Sequence, residues 1–345
     1  MIPYGRQEIN QDDIEAVVKV LKSDFLTQGP VIKNFEDAVI AYTRADYACA
    51  TNSATSALHI ACKALGVGRN DYVWTSPNSF VASANCARYC EAHIDFIDIN
   101  PVTYNIDVDK LFQKLELCEK VKKLPKVIIP VHFAGQSCDM KSIYELSKHY
   151  GFKIIEDAAH ALGGKFYEDM IGSCLYSDIT IFSFQALKII TSGEGGMAVT
   201  KNKELHTKME LYRSHAITRN PTQMLKANEG GWYYEQIDLG YNYRMTDIQA
   251  ALGISQLNRI DEFVKKRNEI ASIYKQKLEI LPINLPKTHT NIYNAFHLYV
   301  IQLNLNHIKK NRLQIFQFMR EKGIEVHVHY IPIHTQPYYQ KIGFK

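Results

Sequence analysis

The chain has 345 residues, which is enough for one large domain and a smaller one, since domains of ~100 to 200 residues are usual. Apolar residues make up 46% of it and charged residues 22%, and these values exclude disordered, collagen-like and disulfide-scaffold proteins. The net charge of +4 is too small to indicate a nucleic-acid partner, although it is compatible with a small anionic substrate.

The sequence has no feature of an exported or membrane-bound protein. No apolar run approaches the ~18 to 20 residues that cross a membrane, and the first residues lead into acidic Asp12 and Asp13, unlike a secretion signal. We therefore expect a cytoplasmic protein without a membrane partner. The seven cysteines form no CxxC pair and no Cys/His cluster at zinc spacing, so we predict buried thiols and no metal site.

Seven short runs rich in β-branched and aromatic residues predict strands. They lie at 47–51, 72–76, 94–98, 127–132, 153–157, 178–184 and 196–200. Amphipathic stretches between them predict helices at 55–64, 79–90 and 140–150. This alternation indicates an α/β fold with a mostly parallel seven-stranded sheet. Ligands of such sheets bind at the carboxyl ends of the strands, which is where we look for chemistry.

After residue 200 the alternation stops. Helices are predicted at 203–214, 246–257 and 261–278, and a proline-containing break follows, with Pro282, Pro286 and the stretch 288–294. The break predicts a large domain at 1–285 and a small α+β domain at 286–345. In the small domain we expect a strand at 297–303, a helix at 307–322 and a strand at 325–331, with the domain incomplete.

Small and hydroxylic residues join the first predicted strand to the helix that begins near Thr55. Free N–H groups and the positive end of the helix dipole allow such a junction to hold a phosphate, although an ordinary Ser/Thr N-cap has the same appearance. The chain contains no GxGxxG motif, so a Rossmann dinucleotide site is unsupported.

Two further segments carry reactive residues. The predicted strand at 153–157 runs into Asp157 and His160, and an acid in that position is either a turn residue or a site residue. Lys188 has apolar neighbours and precedes a glycine-rich stretch. Burial lowers the pKa of an amine and makes it available for Schiff-base formation, whereas the alternative is a lysine that reaches solvent from a loop edge.

Together these residues supply what pyridoxal 5′-phosphate (PLP) needs: an amine for its aldehyde, an acid for its pyridine nitrogen, and hydroxyl groups for its phosphate. The ordered motifs are NSATSAL (52–58), SPNSFVASAN (76–85), PVHFAGQ (130–136), IIEDAAHALGG (154–164), FSFQALKIITSGEGG (182–196), RSHAITR (213–219) and GYNYRMTDIQAALGISQL (240–257). This order resembles the DegT/DnrJ/EryC1/StrS nucleotide-sugar aminotransferases, which implies the fold of type I PLP-dependent transferases.

The resemblance implies roles for eight residues. Lys188 would bond to the cofactor aldehyde and move protons, and Asp157 would pair with the pyridine nitrogen. His160 would support Asp157 or be structural. The residues that would contact the ring or the phosphate are Phe80, Ala54, Thr55 and Ser183, with Asn242 from the second subunit of a homodimer whose active sites lie at the interface.

Segments 3–7, 26–30 and 326–332 are most similar to one branch of this family, the UDP-4-amino-4,6-dideoxy-N-acetyl-β-L-altrosamine transaminases of pseudaminic acid biosynthesis. The similarity implies transfer of an amino group from L-glutamate to C4 of a UDP-4-keto-6-deoxy-N-acetylhexosamine, UDP-2-acetamido-2,6-dideoxy-β-L-arabino-hex-4-ulose. The alternatives are another nucleotide-sugar 4- or 3-aminotransferase and a non-catalytic relative. The implied substrate-binding residues are Tyr4, Asp24, Phe25, Leu26, Thr27, His327, Val328, His329 and Tyr330.

The roles of several residues stay undecided. Sugar 3-dehydratases resemble these enzymes but have histidine in place of the lysine, so Lys188 argues against that activity. Relatives commonly have histidine three positions before the lysine, where this chain has Gln185, which cannot relay a proton. Arg213, Arg219 and Arg244 are either cations for the two substrate phosphates or surface residues.

Overall fold

The computed structural model describes residues 1–226 and 230–345. Fourteen strands lie in these ranges: β1 (Tyr47–Thr51), β2 (Tyr72–Thr75), β3 (His93–Phe96), β4 (Val127–Ile129), β5 (Lys153–Asp157), β6 (Lys165–Phe166), β7 (Asp169–Met170), β8 (Ile179–Ser183), β9 (Gly196–Thr200), β10 (Ile217–Thr218), β11 (Glu235–Gln236), β12 (Ile283–Asn284), β13 (Ile292–Tyr293) and β14 (Gln302–Leu303).

The same ranges contain eleven α-helices: α1 (Gln11–Leu21), α2 (Pro30–Thr43), α3 (Ala54–Ala64), α4 (Ala82–Tyr89), α5 (Val108–Lys120), α6 (Met140–Tyr150), α7 (Lys203–Arg213), α8 (Asp247–Leu257), α9 (Ile260–Leu278), α10 (Arg312–Glu321) and α11 (Pro337–Lys341). None of them combines the length and the apolar character that a membrane-spanning segment needs.

The central sheet has the strand order β1-β9-β8-β5-β4-β2-β3. Strands β8, β5, β4, β2 and β3 are parallel to one another, whereas β9 is antiparallel to both β1 and β8. The predicted mostly parallel seven-stranded sheet is therefore confirmed. The carboxyl ends of β5 and β8 lie at the same edge of the sheet, which brings the residues after them together.

Helices cover both faces of this sheet because its strands are apolar on both sides. On β8, Ile181 packs into a cluster with Leu58 of α3, while the next residue, Phe182, packs into a second cluster with Phe35 of α2. Successive side chains of a strand point to opposite faces, so one strand contributes to both clusters. Six of the seven cysteines are buried, as predicted, and Cys118 is partly exposed.

The small lobe differs from the prediction. The strand expected at 297–303 is reduced to β14, which pairs with β12, and 325–331 forms no strand. A single bridge between Ile324 and Ile2 lies at the start of this stretch, where it contacts the N-terminal segment. The break at 288–294 contains β13, which pairs with β6. The division at residue 285 stays a prediction.

Candidate active site

The amino end of α3 provides free hydrogen-bond donors. Ser53 caps the helix, and its Oγ accepts from Ser56 N at 3.1 Å, so the ordinary N-cap expected as an alternative does exist. The first N–H groups of the helix, those of Ala54 and Thr55, have no acceptor within the helix. Together with the positive end of the helix dipole, they form a site for an anion.

Strand pairing brings Ser183 to the same place. Ser183 ends β8 and lies opposite Gly196 of β9, which also lies opposite Thr51 at the end of β1. A Cβ atom on Gly196 would overlap the backbone of Ser53 and Ala54, so only glycine permits this approach. The structure thus assembles the three residues expected to hold a phosphate: Ala54, Thr55 and Ser183.

Asp157 ends β5 with a fixed and unpaired carboxylate. Ser83 Oγ donates to its Oδ2 at 2.6 Å and the Ala159 N–H donates to its Oδ1 at 3.2 Å. The side chain is buried, and within the described part of the chain no lysine, arginine or histidine forms an ion pair with it. A buried carboxylate that lacks a cation can accept a cationic ligand group, such as a protonated ring nitrogen.

Lys188 lies in the turn that follows β8. Its backbone N–H donates to Gln185 O at 2.9 Å, and Gln185 Oε1 accepts from Leu187 N at 3.0 Å, so Gln185 closes the turn that carries the lysine. Burial lowers the pKa of Lys188 to about 8, although the charge of Asp157 acts in the opposite direction. At pH 7 about a tenth of the amine is therefore unprotonated, far more than for an exposed lysine, and this neutral form can act as a nucleophile or a base.

This pKa predicts how the apo-protein reacts with PLP. Because only the neutral amine attacks an aldehyde, the rate of covalent PLP addition should increase roughly tenfold between about pH 7 and pH 9 and then level off. Stopped-flow absorbance measures it, with Lys188→Ala as the control. A rate that keeps increasing past pH 10 would mean that the amine has the pKa of an exposed lysine.

Phe80 and His160 flank these groups. The Phe80 side chain, just before α4, is 61% exposed and free to cover a ligand ring. No hydrogen bond joins His160 to Asp157. Instead His160 Nδ1 accepts from Ala134 N at 3.3 Å, and its Nε2 lies 3.4 Å from the Tyr330 hydroxyl.

The N-terminal segment and the small lobe meet beside this site. The Tyr4 hydroxyl lies 2.9 Å from His329 Nε2, and the Tyr4 ring contacts that of His327 with 4.4 Å between centroids. Burial raises the pKa of Tyr4 to about 12 and lowers the pKa of His329 to about 4, so both groups are neutral near pH 7. Val328 between the two histidines is exposed.

Residues 24–27 lie near the phosphate end of the site. Thr27 is bridged to Thr246, and two residues earlier Arg244 is bridged to Thr51 at the end of β1. Asp24 and Phe25 line a cavity of about 530 Å³ that is bounded by residues of α1, α2 and α8. The structure thus groups Tyr4 with His327, His329 and Tyr330, whereas Asp24 and Phe25 face a cavity that none of the cofactor-site residues line, and a role for residues 24–27 in substrate binding stays a prediction.

The three arginines whose roles the sequence leaves undecided have different environments. Arg213 forms a largely buried ion pair with Glu36, with 2.7 Å between Nη1 and Oε1, and also donates to Ala50 O. Arg213 is therefore a structural residue, and neither predicted role, a cation for the substrate phosphates or a surface residue, applies to it. Arg219 lies over the Tyr234 ring, and the Arg244 side chain has no hydrogen bond or ion pair within the described residues.

Sequence reasoning missed three contacts of this region. Ser83 fixes Asp157, and its signal was the serine spacing in SPNSFVASAN, where Ser79 Oγ lies 2.7 Å from Ser83 Oγ. His297 packs against the His160 ring with 4.4 Å between centroids. Beneath Asp157, Glu156 Oε2 lies 2.7 Å from His132 Nε2. No sequence pattern indicated either of the last two contacts.

The residues of the site can also be compared with those that a metal ion would need. Among residues 1–226 and 230–345, no group of three or more His, Cys, Asp or Glu side chains is arranged to hold a metal ion. The donor set instead fits PLP, because it offers an amine of lowered pKa, an unpaired buried carboxylate and open N–H groups at a helix end.

Comparisons with known proteins agree with this chemistry. The model of the DegT/DnrJ/EryC1/StrS aminotransferase family matches residues 7–344. A UDP-4-amino-4,6-dideoxy-N-acetyl-beta-L-altrosamine transaminase of Campylobacter jejuni is 39% identical over 99% of this chain and 87% of that protein.

Two solved structures are also similar. Helicobacter pylori PseC, an aminotransferase of pseudaminic acid biosynthesis, has a TM-score of 0.88 and 31% identity, covering 99% of this chain and 88% of that one. The pyridoxamine-phosphate form of the sugar aminotransferase Spr1654 from Streptococcus pneumoniae has a TM-score of 0.88 and 28% identity, covering 100% and 89%. The chain belongs to the DegT/DnrJ/EryC1/StrS aminotransferase family and is a PLP-dependent nucleotide-sugar aminotransferase.

Proposed function

We propose that this enzyme transfers the amino group of L-glutamate to C4 of UDP-2-acetamido-2,6-dideoxy-β-L-arabino-hex-4-ulose, giving the 4-amino sugar of pseudaminic acid biosynthesis. The observation that carries the proposal is the 39% identity to the Campylobacter transaminase over 99% of the chain. Segments 3–7 and 326–332, on which the resemblance to that branch rests, lie side by side through the Tyr4–His329 contact.

Lys188 is the proposed acid/base. When bound, PLP withdraws electrons from the carbon that carries the amino group. Lys188 Nζ accepts the proton from Cα of glutamate, and in the second half-reaction it donates a proton to C4 of the sugar. A pKa of about 8 suits both tasks, since a group that titrates near the working pH exchanges protons in either direction.

Asp157 and the amino end of α3 are proposed to orient the cofactor. The carboxylate, held by Ser83 and Ala159, stabilises a proton on the ring nitrogen, and the N–H groups of Ala54 and Thr55 hold the phosphate. Ser183 adds a hydroxyl to the phosphate site, and Phe80 covers the ring. All these groups belong to the large domain, so we expect the chain to bind PLP without the sugar.

The test of the proposal is a panel of nucleotide sugars. The enzyme is incubated with glutamate and with UDP-4-keto-6-deoxy sugars that differ at C5, together with a GDP-4-keto-6-deoxy sugar, and products are identified by mass and NMR. We expect amination at C4 with the β-L-arabino sugar as the best substrate. A better substrate elsewhere in the panel would reassign the enzyme within the family, and absence of any reaction with glutamate would favour a non-catalytic relative.

We further propose a homodimer in which Asn242 reaches the cofactor phosphate of the second subunit. Asn242 is exposed, and the segment that carries it runs past the α3 end of its own chain, where Tyr243 O accepts from Asn52 N at 2.8 Å. Trp232 and Leu239, which precede Asn242 in the same segment, are 74% and 66% exposed, so apolar surface is available there for a second subunit.

Mixing two inactive variants tests this arrangement. Lys188→Ala removes the amine, and Asn242→Asp brings a negative charge to the phosphate. If each site takes Lys188 from one subunit and Asn242 from the other, a heterodimer has one site with both lesions and one intact site. Co-refolding should then restore up to about a quarter of wild-type activity under random pairing. No recovery despite demonstrated chain exchange would mean that Asn242 serves its own subunit.

A further inference from the structure

The hydrogen bonds of His160 determine where its ring proton lies. Nδ1 accepts from the backbone N–H of Ala134 at 3.3 Å, so Nδ1 has no proton of its own in this arrangement. The proton of the neutral ring is therefore on Nε2, which lies 3.4 Å from the Tyr330 hydroxyl. Since Nε2 is the donor, the Tyr330 oxygen is the acceptor in this contact.

The surroundings of His160 keep the imidazole neutral. Its side chain is 6% exposed, and the His297 ring packs against it. Burial lowers the pKa of His160 well below its usual value, and the charge of Lys188 acts in the same direction. A second ring proton, which would end the acceptor role of Nδ1, is therefore disfavoured.

Tyr330 is held in place by contacts with Asn78 and Phe133. Its backbone N–H donates to Asn78 Oδ1 at 3.0 Å, and its ring packs edge-on against Phe133 with 6.1 Å between centroids. Burial raises the pKa of the phenol, so the hydroxyl keeps its proton. Within the described residues the hydroxyl has no hydrogen bond other than that with His160, so its own O–H has no protein acceptor.

We propose that His160 is a positioning residue that makes the Tyr330 hydroxyl a hydrogen-bond donor to an oxygen of the keto sugar. This inference rests on the proposed function, because it assigns the sugar half-reaction to this end of the site. It differs from the role that the family resemblance implied for His160, in which the imidazole acts on the cofactor side through Asp157. The two roles predict losses in different half-reactions.

A double-mutant cycle with separated half-reactions tests the inference. The sugar is the UDP-4-keto-6-deoxy sugar that the wild-type enzyme aminates best. Tyr330→Phe and His160→Leu should each lower kcat/KM for this sugar about tenfold, chiefly through KM, because each removes one hydrogen bond. The double variant should also lose about tenfold, not a hundredfold, because both changes remove the same interaction.

The glutamate half-reaction distinguishes the two roles of His160. Under the inference it falls by less than about threefold in His160→Leu, and His160→Gln recovers most of the loss with sugar, because an amide can both accept from Ala134 and donate to Tyr330. Losses of equal size in both half-reactions, or multiplicative losses in the double variant, would overturn the inference. Failure of the proposed function is a separate outcome, seen as no amination of any panel sugar by the wild-type enzyme.

The ring proton can be located without substrate turnover. In wild-type holoenzyme labelled with ¹⁵N-histidine, the signals of His160 are assigned by their loss in His160→Gln. Two-bond ¹H–¹⁵N spectra should then show a proton on Nε2 and none on Nδ1. A proton on Nδ1 would contradict the inference whether or not His160→Leu folds.

Discussion

Lys188→Ala is expected to lower amino transfer from glutamate by about 10⁴-fold or more, the largest effect of any single substitution in this chain. The change removes both the group that bonds to the cofactor and the base that moves the proton. The fold should persist, because Lys188 lies in a turn after β8 and forms no ion pair within the described residues. Removal of a partly buried amine of lowered pKa also removes a desolvated charge.

Three measurements check this prediction. Single-turnover absorbance follows the glutamate half-reaction, thermal unfolding follows the fold, and borohydride reduction followed by peptide mass spectrometry locates the bound cofactor. Lys201→Ala, at an exposed lysine just after β9, is the matched control and should behave as wild type. Wild-type exchange with glutamate in Lys188→Ala would show that another residue is the base.

Asp157→Asn should retain PLP but lower the rate of both half-reactions by about 10²-fold or more. Asparagine has the size of aspartate and its oxygen can still accept from Ser83 or Ala159, so the pocket keeps its shape. A neutral amide no longer stabilises a proton on the ring nitrogen, and the electron withdrawal on which the proton transfer depends becomes weaker. Stopped-flow absorbance and PLP titration separate rate from binding.

The adjacent carboxylate is the control for Asp157→Asn. Burial alone would raise the pKa of Glu156, but hydrogen bonds from His132, Ser177 and Thr180 hold it below the usual value. Glu156→Gln should therefore lower the free energy of unfolding by about 1 to 3 kcal/mol with less effect on the glutamate half-reaction. Urea denaturation measures the first quantity. Near-normal turnover in Asp157→Asn would remove Asp157 from the mechanism.

The central sheet could be predicted well from the sequence because its strands are continuous buried runs with clear ends. The predicted bounds of β1, β5 and β9 are those of the structure. The same reasoning was wrong at 325–331, where the chain joins no sheet and contacts the N-terminal residues through the bridge at Ile324 and the Tyr4–His329 pair. Helices α1, α2 and α5 were also not predicted, although their apolar faces are part of the core.

The residues of the site also differ in how well the sequence predicts them. Asp157 and Lys188 could be predicted because each follows a strand whose end is visible in the sequence. The contacts of Arg213 with Glu36 and of His160 with Tyr330 join residues 177 and 170 positions apart, and no local pattern signals them. Contacts between residues so far apart in sequence depend on the topology of the sheet. That topology is not visible in the sequence before the fold is known.

The contact between Tyr4 and His329 affects which parts of the molecule open most easily to solvent. These two residues are 325 positions apart, and in the described residues their segments are joined by one bridge and a few side-chain contacts, with no strand pairing. The strand pairings around Lys188 belong to the buried sheet. Amide exchange should therefore be faster in the segments that hold Tyr4 and His329 than in β5 and β8. The pocket for the cofactor can persist while the pocket for the sugar opens and closes.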